Sequence, residues 1–208
     1  AAIVEDPGPE PTGFVAHRTL VPMDEVSAHL RRSEVCLWSG PGLHIVHYPL
    51  RRGELFNIVA VFKTPRHSVT DNVDAYKREV QSTYADTHPH MKELLALMNF
   101  ERRWALSDRR PVRHWSRGRV CLLGDAAHPT LQSLAQGAGM AIEDAVHLAA
   151  NVSAASADIP TALRAYARGR YLRTARVQIE SRQLWEFYHL EDPIEVEVRN
   201  SQQSAVTT

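Results

Sequence analysis

The stretch from Arg119 to Leu148 constrains the fold most, because it predicts a strand, a turn and a helix in fixed order. Residues 120–124, VCLLG, are apolar and end in glycine, which is typical of a short buried strand of a parallel sheet. Asp125 follows at the carboxyl end of that strand, where ligands of open α/β sheets bind. A helix predicted from Gly137 then presents the unpaired N–H groups of its first turn. The stretch therefore predicts a carboxylate and an amide cluster that could hold a ligand.

Two motifs in this stretch, GDAAHP at 124–129 and AQGAGMAIEDA at 135–145, resemble the second flavin-binding motif of the group A flavoprotein monooxygenases. This is the p-hydroxybenzoate hydroxylase-like family, and Gln132 together with Ala135-Gln136-Gly137 makes the resemblance closest to its salicylate and 3-hydroxybenzoate 6-hydroxylase branch. The resemblance implies FAD as cofactor, NADH or NADPH as reductant, O2, and a small aromatic substrate. It covers nearly all of this chain but only the carboxyl-terminal half of the family.

For the cofactor, the resemblance implies that Asp125 binds the ribityl chain and that the amides of Ala138 and Gly139 face the flavin pyrimidine edge. A helix N-terminus stabilises negative charge, which develops at that edge on reduction. The alternative for Asp125 is a turn or helix-capping carboxylate. The full set of expected cofactor residues is Gly124, Asp125, Gln136, Gly137, Ala138 and Gly139.

The amino end of the chain favours a piece of a longer protein. The chain begins at Ala1 without methionine, passes through the proline-rich EDPGPEPTG at 5–13, and contains no GxGxxG. Members of the family begin with a strand–GxGxxG–helix unit for the ADP half of FAD. We therefore expect an amino-terminal ADP-binding half to be a partner of this chain.

Three strand-like runs, at 34–39, 43–50 and 54–63, predict an antiparallel meander that forms the wall of a substrate pocket. In LHIVHYPL at 43–50, the period of two places His44 and Tyr48 on one face and turns His47 to the other. If Leu50 pairs with Leu55, Asn57 lies opposite Tyr48. Asn57 is therefore an expected substrate-binding residue.

His44 is the expected catalytic base. Attack by an electrophilic oxygen requires an electron-rich ring, and a phenol with a pKa near 10 needs a nearby base to become a phenolate. In the branch that the chain resembles, a histidine, a tyrosine four residues later and a glutamine contact the substrate, which implies His44, Tyr48 and Gln132. The alternatives are a structural hydrogen-bonding role for His44 and a turn role for Gln132.

The expected fold class is α+β, a fragment of an α/β FAD/NAD(P)-binding fold with an antiparallel or mixed sheet and long C-terminal helices. We expect a substrate-binding sheet domain at 1–116, the flavin-motif segment at 117–152 and a helical segment at 153–208. Three further helices are predicted at 23–32, at 71–84 with Asp71 or Asn72 as its cap, and at 90–98. The predicted helical region 159–188 should turn Leu163, Tyr166, Ala167, Tyr171, Ala175 and Ile179 inward, and the end from Glu191 should fray.

Charge and composition disfavour several other classes. Lys plus Arg number 24, equal to Asp plus Glu, so we expect no nucleic-acid partner, and the arginines of 164–182 are predicted to form a solvated helix face. No apolar run approaches the ~20 residues that span a bilayer. No His or Cys pair has metal-ligand spacing, and the two cysteines suit buried thiols of a cytoplasmic protein. The long helices could form a homodimer, and the alternative function is a binding or structural module that holds no FAD.

Overall fold

The computed structural model describes residues 8–65, 73–155 and 158–204, and the chain divides into two compact units. The motif unit comprises Ala1–Pro11 and Ser107–Glu186, and the sheet unit comprises Thr12–Leu106 and Phe187–Thr208. Helices and antiparallel strands occur together, so the α+β class is confirmed. The three segments expected from the sequence remain a prediction about domains.

A five-stranded sheet in the order β2-β3-β4-β1-β5 is the framework of the sheet unit. Pairs β1–β4, β2–β3 and β3–β4 are antiparallel, and Leu50 pairs with Leu55, as predicted. The hairpin therefore places His44 opposite Val61 and Tyr48 opposite Asn57. The strands are β1 (Glu10–Pro22), β2 (Cys36–Gly40), β3 (Leu43–Leu50), β4 (Leu55–Lys63) and β5 (Trp104–Asp108).

One face of this sheet carries the hydrophobic core. Helices α1 (Val73–Thr83) and α2 (Pro89–Ala96) contribute to it. The proposed caps of α1, Asp71 and Asn72, lie outside the described residues. The core comprises alternate strand residues and the apolar stripes of the helices: Val15, Val21, Val26, Leu30, Leu43, Ile45, Phe56, Ile58, Ala60, Phe62, Tyr76, Val80, Tyr84, Met91, Leu94 and Met98.

The prediction of one continuous helix at 23–32 is wrong. Two single 3-10 turns, Met23–Glu25 and Ala28–Leu30, occupy the segment instead. Val26 and Ser27 between them have extended backbone angles, and the side chain of Val26 is buried in the core. Burial of Val26 therefore outweighs the weak local preference for a continuous helix.

The predicted parallel strand at 120–124 is also wrong. Val120–Cys121 forms a two-residue strand, β7, antiparallel to β6 (Ser116–Arg117), and the side chain of Val120 is 54% exposed. Gly118 has a φ of +59°, which closes the tight turn between the two strands. Among the described residues β7 pairs with β6 alone, so this run has no parallel neighbour there.

Helices α3 (Gly137–Ala154) and α4 (Ile159–Tyr188) supply most of the motif unit. Trp115, Ala127, Tyr166 and Ala167 form its small apolar core. The inward face predicted for α4 is correct for Leu163, Tyr166 and Ala167, but Tyr171 and Ala175 are only partly buried and Ile179 is exposed. Its buried face continues through polar residues: Arg170, Thr174, Gln178 and Ser181.

The segment after Glu191 does not fray throughout as predicted, since Pro193–Ser204 forms helix α5. Asp192 Oδ1 accepts hydrogen bonds from the N–H groups of Ile194 and Glu195, at 2.9 and 3.1 Å, and so caps the helix. Buried Arg199 donates to Tyr188 O at 3.0 Å, which fixes α5 to the end of α4. Among the described residues, no helix combines the length and apolar character required to cross a bilayer.

Candidate functional sites

Gly124 and Asp125 form the turn at the centre of the motif unit. Gly124 is buried with a φ of +59°, and a Cβ atom placed on it would lie 3.2 Å from Ala141 Cβ. Both the left-handed backbone and the close approach of α3 therefore require glycine. Asp125 is exposed, and its carboxylate has no hydrogen bond to any described residue. The carboxylate is therefore available to a ligand.

The start of α3 lies beside this carboxylate. A Cβ atom placed on Gly137 would be 3.9 Å from Asp125 Oδ1, so the helix start and the acid share one site. Gln136 occupies the N-cap position and makes no side-chain capping bond. The first N–H groups of an α-helix have no intrahelical partner, and Ala138 and Gly139 are exposed. Asp125 therefore offers hydrogen-bond acceptors, and the open first turn of α3 offers donors next to it.

Buried Asp144 holds the Gly124-Asp125 turn in place, and this role was not predicted from the sequence. Its carboxylate is 0% exposed and accepts from Gly124 N at 3.1 Å and Arg170 Nε at 2.7 Å, while His128 Nε2 lies 2.5 Å away. Burial alone would raise the pKa of Asp144, but the bonds from Arg170, His128 and Gly124 outweigh it and lower that pKa. Its position four residues after Met140, on the buried face of α3, was the available signal.

The loop between Asp125 and α3 is anchored to α4. Gln178 Nε2 donates to Pro129 O at 2.9 Å, and Ser133 Oγ donates to Ser181 O at 2.6 Å. Gln132 is exposed in a single 3-10 turn, and Ala135 adopts a left-handed conformation with φ 53° just before the helix. The structure therefore keeps Gln132 accessible while its neighbours are held in place.

His44, in the sheet unit, is buried against a second histidine. Its side chain is 2% exposed, Nδ1 lies 2.8 Å from His189 Nε2, and the Tyr188 ring packs edge-on with centroids 5.8 Å apart. Burial, with a smaller contribution from His189, lowers the pKa of His44 to about 3. His44 is therefore neutral near pH 7. His189 follows α4 directly, and no sequence pattern pairs it with a residue in β3.

Tyr48 and Asn57 meet on the same face of the sheet, and Arg18 of β1 joins them. Arg18 Nε donates to Asn57 Oδ1 at 2.7 Å, and Arg18 Nη2 lies 3.4 Å from Tyr48 Oη. Arg18 was missed because its place depends on the β1–β4 pairing, which sets Arg18 opposite Val59. The structure therefore brings two predicted substrate residues together with a cation.

His47 faces away from these residues, as the period of two predicts. Its Nε2 accepts a hydrogen bond from Trp38 Nε1 at 3.0 Å, and burial lowers its pKa to about 4. His17 is also a buried core histidine, bonded to Tyr76 and Arg102. Within the described residues, no group of three or more His, Cys, Asp or Glu side chains could hold a metal ion.

Comparison with known proteins matches residues 14–179 to a family model described as FAD binding domain. The chain is 42% identical over 200 residues to 3-hydroxybenzoate 6-hydroxylase 2 of Aquipseudomonas alcaligenes, covering 96% of this chain and 62% of that protein. The chain therefore spans less than two thirds of the length of this relative.

Solved structures show the same fold. Klebsiella pneumoniae HpxO complexed with FAD and uric acid matches with a TM-score of 0.81 and 26% identity, covering 94% of this chain and 50% of that one. A salicylate hydroxylase substrate complex matches with a TM-score of 0.74 and 27% identity, covering 98% of this chain and 55% of that one.

Proposed function

The chain belongs to the family described as FAD binding domain, and on that basis we propose that it is part of an FAD-dependent monooxygenase. The proposed reaction hydroxylates a phenolic ring of the hydroxybenzoate type with NADH or NADPH and O2. The relative at 42% identity is a 3-hydroxybenzoate 6-hydroxylase, which supports this reaction and substrate class. The same relative disfavours the alternative of a structural module without FAD.

The observation that carries the cofactor assignment is the free Asp125 carboxylate beside the uncapped first turn of α3. FAD fits this pair, since its ribityl hydroxyl groups can donate to a carboxylate and its electron-rich pyrimidine edge can accept from amides. Asp125 would hold the ribityl chain, and the amides of Ala138 and Gly139 would face the isoalloxazine ring. Bound FAD would supply the redox chemistry. As part of the proposal, residues outside this chain hold the ADP half, since no GxGxxG occurs in it.

His44 is proposed to accept the proton of the substrate phenol. It is neutral at pH 7 and can therefore act as an acceptor, but a group with a pKa of about 3 retains a proton only beside a compensating charge. The phenolate formed by the transfer supplies that charge and raises the pKa of His44. Because the ring is 2% exposed, neighbouring side chains must move for the substrate to reach it. Tyr48, on the same strand and face as His44, is proposed to position the substrate, and the substrate role expected for Gln132 stays a prediction.

The proposed function is tested with the protein expressed from its full reading frame and purified with its bound cofactor. We expect a yellow protein with flavin absorbance that oxidises NADH or NADPH and converts 3-hydroxybenzoate to a dihydroxybenzoate. Coupling is measured as product formed per reductant consumed. A purified protein without flavin, or one that oxidises the reductant without hydroxylating any phenol, contradicts the proposal.

The His44→Ala variant tests the base directly. Removal of a general base costs about 10²- to 10⁴-fold in rate, so we expect a fall of that size in hydroxylation. His47→Ala is the matched control, because His47 lies on the opposite face of the same strand and should retain most activity once folded. Hydroxylation by His44→Ala at the parent rate between pH 6 and 9 would remove His44 as base.

A further inference from the structure

We propose that Arg18 binds the carboxylate of the aromatic substrate and that Asn57 and Tyr48 hold the guanidinium in place for it. The inference rests on the proposed function and deepens it, because it specifies a ring that carries an ionised carboxylate. It also makes Arg18 a residue that determines specificity.

The register of the sheet places Arg18 within the proposed substrate wall. Arg18 pairs with Val59 in β4, and Val59 pairs with Val46 in β3. Val46 lies two residues from His44 and two residues from Tyr48 along β3. These three side chains and that of Arg18 therefore lie on one face of the sheet. A ring over Val46 would direct one substituent towards His44 and another towards Arg18.

The hydrogen bonds of Arg18 leave part of its guanidinium group open. Nε and one N–H of Nη2 point to Asn57 Oδ1 and Tyr48 Oη, along one edge of the planar group. The outer edge, formed by Nη1 and the second N–H of Nη2, has no partner among the described residues. This edge can bind the two oxygens of a carboxylate through parallel hydrogen bonds.

The charge of Arg18 is also unbalanced. No described carboxylate forms an ion pair with it, whereas Arg170, Arg173 and Arg182 each pair with an acid. Arg18 is exposed, so an anion can reach it from solvent. The two side chains that contact Arg18 are an amide and a phenol and not carboxylates, so they orient its charge without pairing with it.

Asn57 gives independent support for a ligand. Its side chain is 0% exposed, and Nδ2 is buried without a hydrogen-bond partner in the described part of the chain. A buried donor without an acceptor is costly, so such groups commonly await a ligand or water. Tyr48 Oη accepts from Arg18 and can still donate its own proton. The cluster therefore offers three donor groups and no negative charge, which suits a carboxylate.

The test compares ligand binding to the FAD-loaded protein by isothermal titration calorimetry. The ligands are 3-hydroxybenzoate and 3-hydroxybenzamide, which have the same ring but differ in charge. We expect Arg18→Gln to raise the Kd for the benzoate about 10- to 30-fold and the Kd for the benzamide less than about threefold. Arg18→Lys should lie between the parent and Arg18→Gln, since it keeps the charge but loses the planar fork.

Arg78→Gln is the matched control, because Arg78 is an exposed arginine of α1 in the same unit and should leave both Kd values unchanged. Circular dichroism shows whether each variant is folded. Equal affinity of Arg18→Gln and the parent for the benzoate overturns the inference, and so does an equal loss for both ligands. A parent that binds the benzoate through Arg18 but does not hydroxylate it contradicts only the proposed function. A parent that binds neither ligand overturns both.

Discussion

The motif unit and the sheet unit each bury a polar cluster, but the two clusters balance charge differently. In the motif unit, buried Asp144 is paired with Arg170, and Glu143 lies 2.7 Å from Arg170 Nη1. In the sheet unit, buried His44 lies beside a second imidazole, that of His189, and not beside a charged partner. Fixed opposite charges stabilise one arrangement, whereas a neutral His44 keeps the capacity to accept a proton.

The two clusters therefore have different roles, one structural and one, under the proposed function, in proton transfer. Asp144 holds Gly124, the residue before the expected ribityl-binding Asp125, so its network sets the backbone that a cofactor would meet. It does not need to change protonation near pH 7, since its pKa is lowered. His44 must accept a proton under the proposed function, and its pKa depends on what lies beside it. Substitutions made in one cluster at a time therefore show whether charge pairing and proton acceptance are divided between the two clusters in this way.

The largest effect is expected for Asp144→Asn. The variant leaves the side chain of Arg170, which is 4% exposed, with only the partly exposed Glu143 as counter-charge. Breaking a buried ion pair from one side costs about 3–5 kcal/mol of unfolding free energy. Urea unfolding measures the loss, and Glu143→Gln is the control with an expected cost of about 1 kcal/mol or less. A loss below about 1 kcal/mol for Asp144→Asn would show that the network is not a structural anchor.

A smaller effect concerns acid stability in the sheet unit. The pKa of His44 is about 3 in the folded protein and 6.5 in the unfolded chain, so the unfolded chain binds more protons between these values. Stability should therefore fall as the pH drops below 6.5, by about 1 kcal/mol between pH 6.5 and 5.5 for this residue. We expect His44→Gln to reduce that fall, as measured by urea unfolding at both pH values. An unchanged pH dependence would mean that His44 is protonated when folded.

The smallest effect is expected for His189, which we propose as a positioning residue for His44. If His44 Nδ1 donates to His189 Nε2, the lone pair of His44 Nε2 is the one that accepts a proton. His189→Leu should then lower hydroxylation about 5- to 10-fold and change its pH profile, since one hydrogen bond is worth about 1 kcal/mol. His189→Gln keeps an acceptor and should restore most of the activity. Equal losses in both variants would indicate a packing role only.

Local sequence was sufficient where neighbouring residues along the chain define the structure. The helix from Gly137 and the β3–β4 hairpin were predicted, because helix starts and strand periodicity are properties of short segments. The period of two also separated His44 from His47 correctly. Cytoplasmic location, homodimer formation and an amino-terminal partner half remain predictions.

The failures share a different cause. The run at 120–124 was expected to be a parallel strand, yet the identity of its strand partner cannot be read from the run itself. The buried face of α4 was predicted from apolar residues alone, so polar residues paired across loops, such as Arg170 and Gln178, were assigned to solvent or ignored. Hydrophobicity does not reveal a polar group whose burial is compensated by a distant partner.

Local sequence was enough to specify the glycine-rich motif, the start of α3 and the face of β3 that carries His44 and Tyr48. Tertiary packing leaves the Asp125 carboxylate free, anchors Gly124 on Asp144, places His189 against His44 and joins Arg18 to Asn57 and Tyr48. Gly124 and Asp144 are 20 residues apart in the chain, and Arg18 and Asn57 are 39 apart. His44 and His189 are 145 residues apart. Contacts at such separations depend on how whole helices and strands pack, which the local preferences of a segment do not specify.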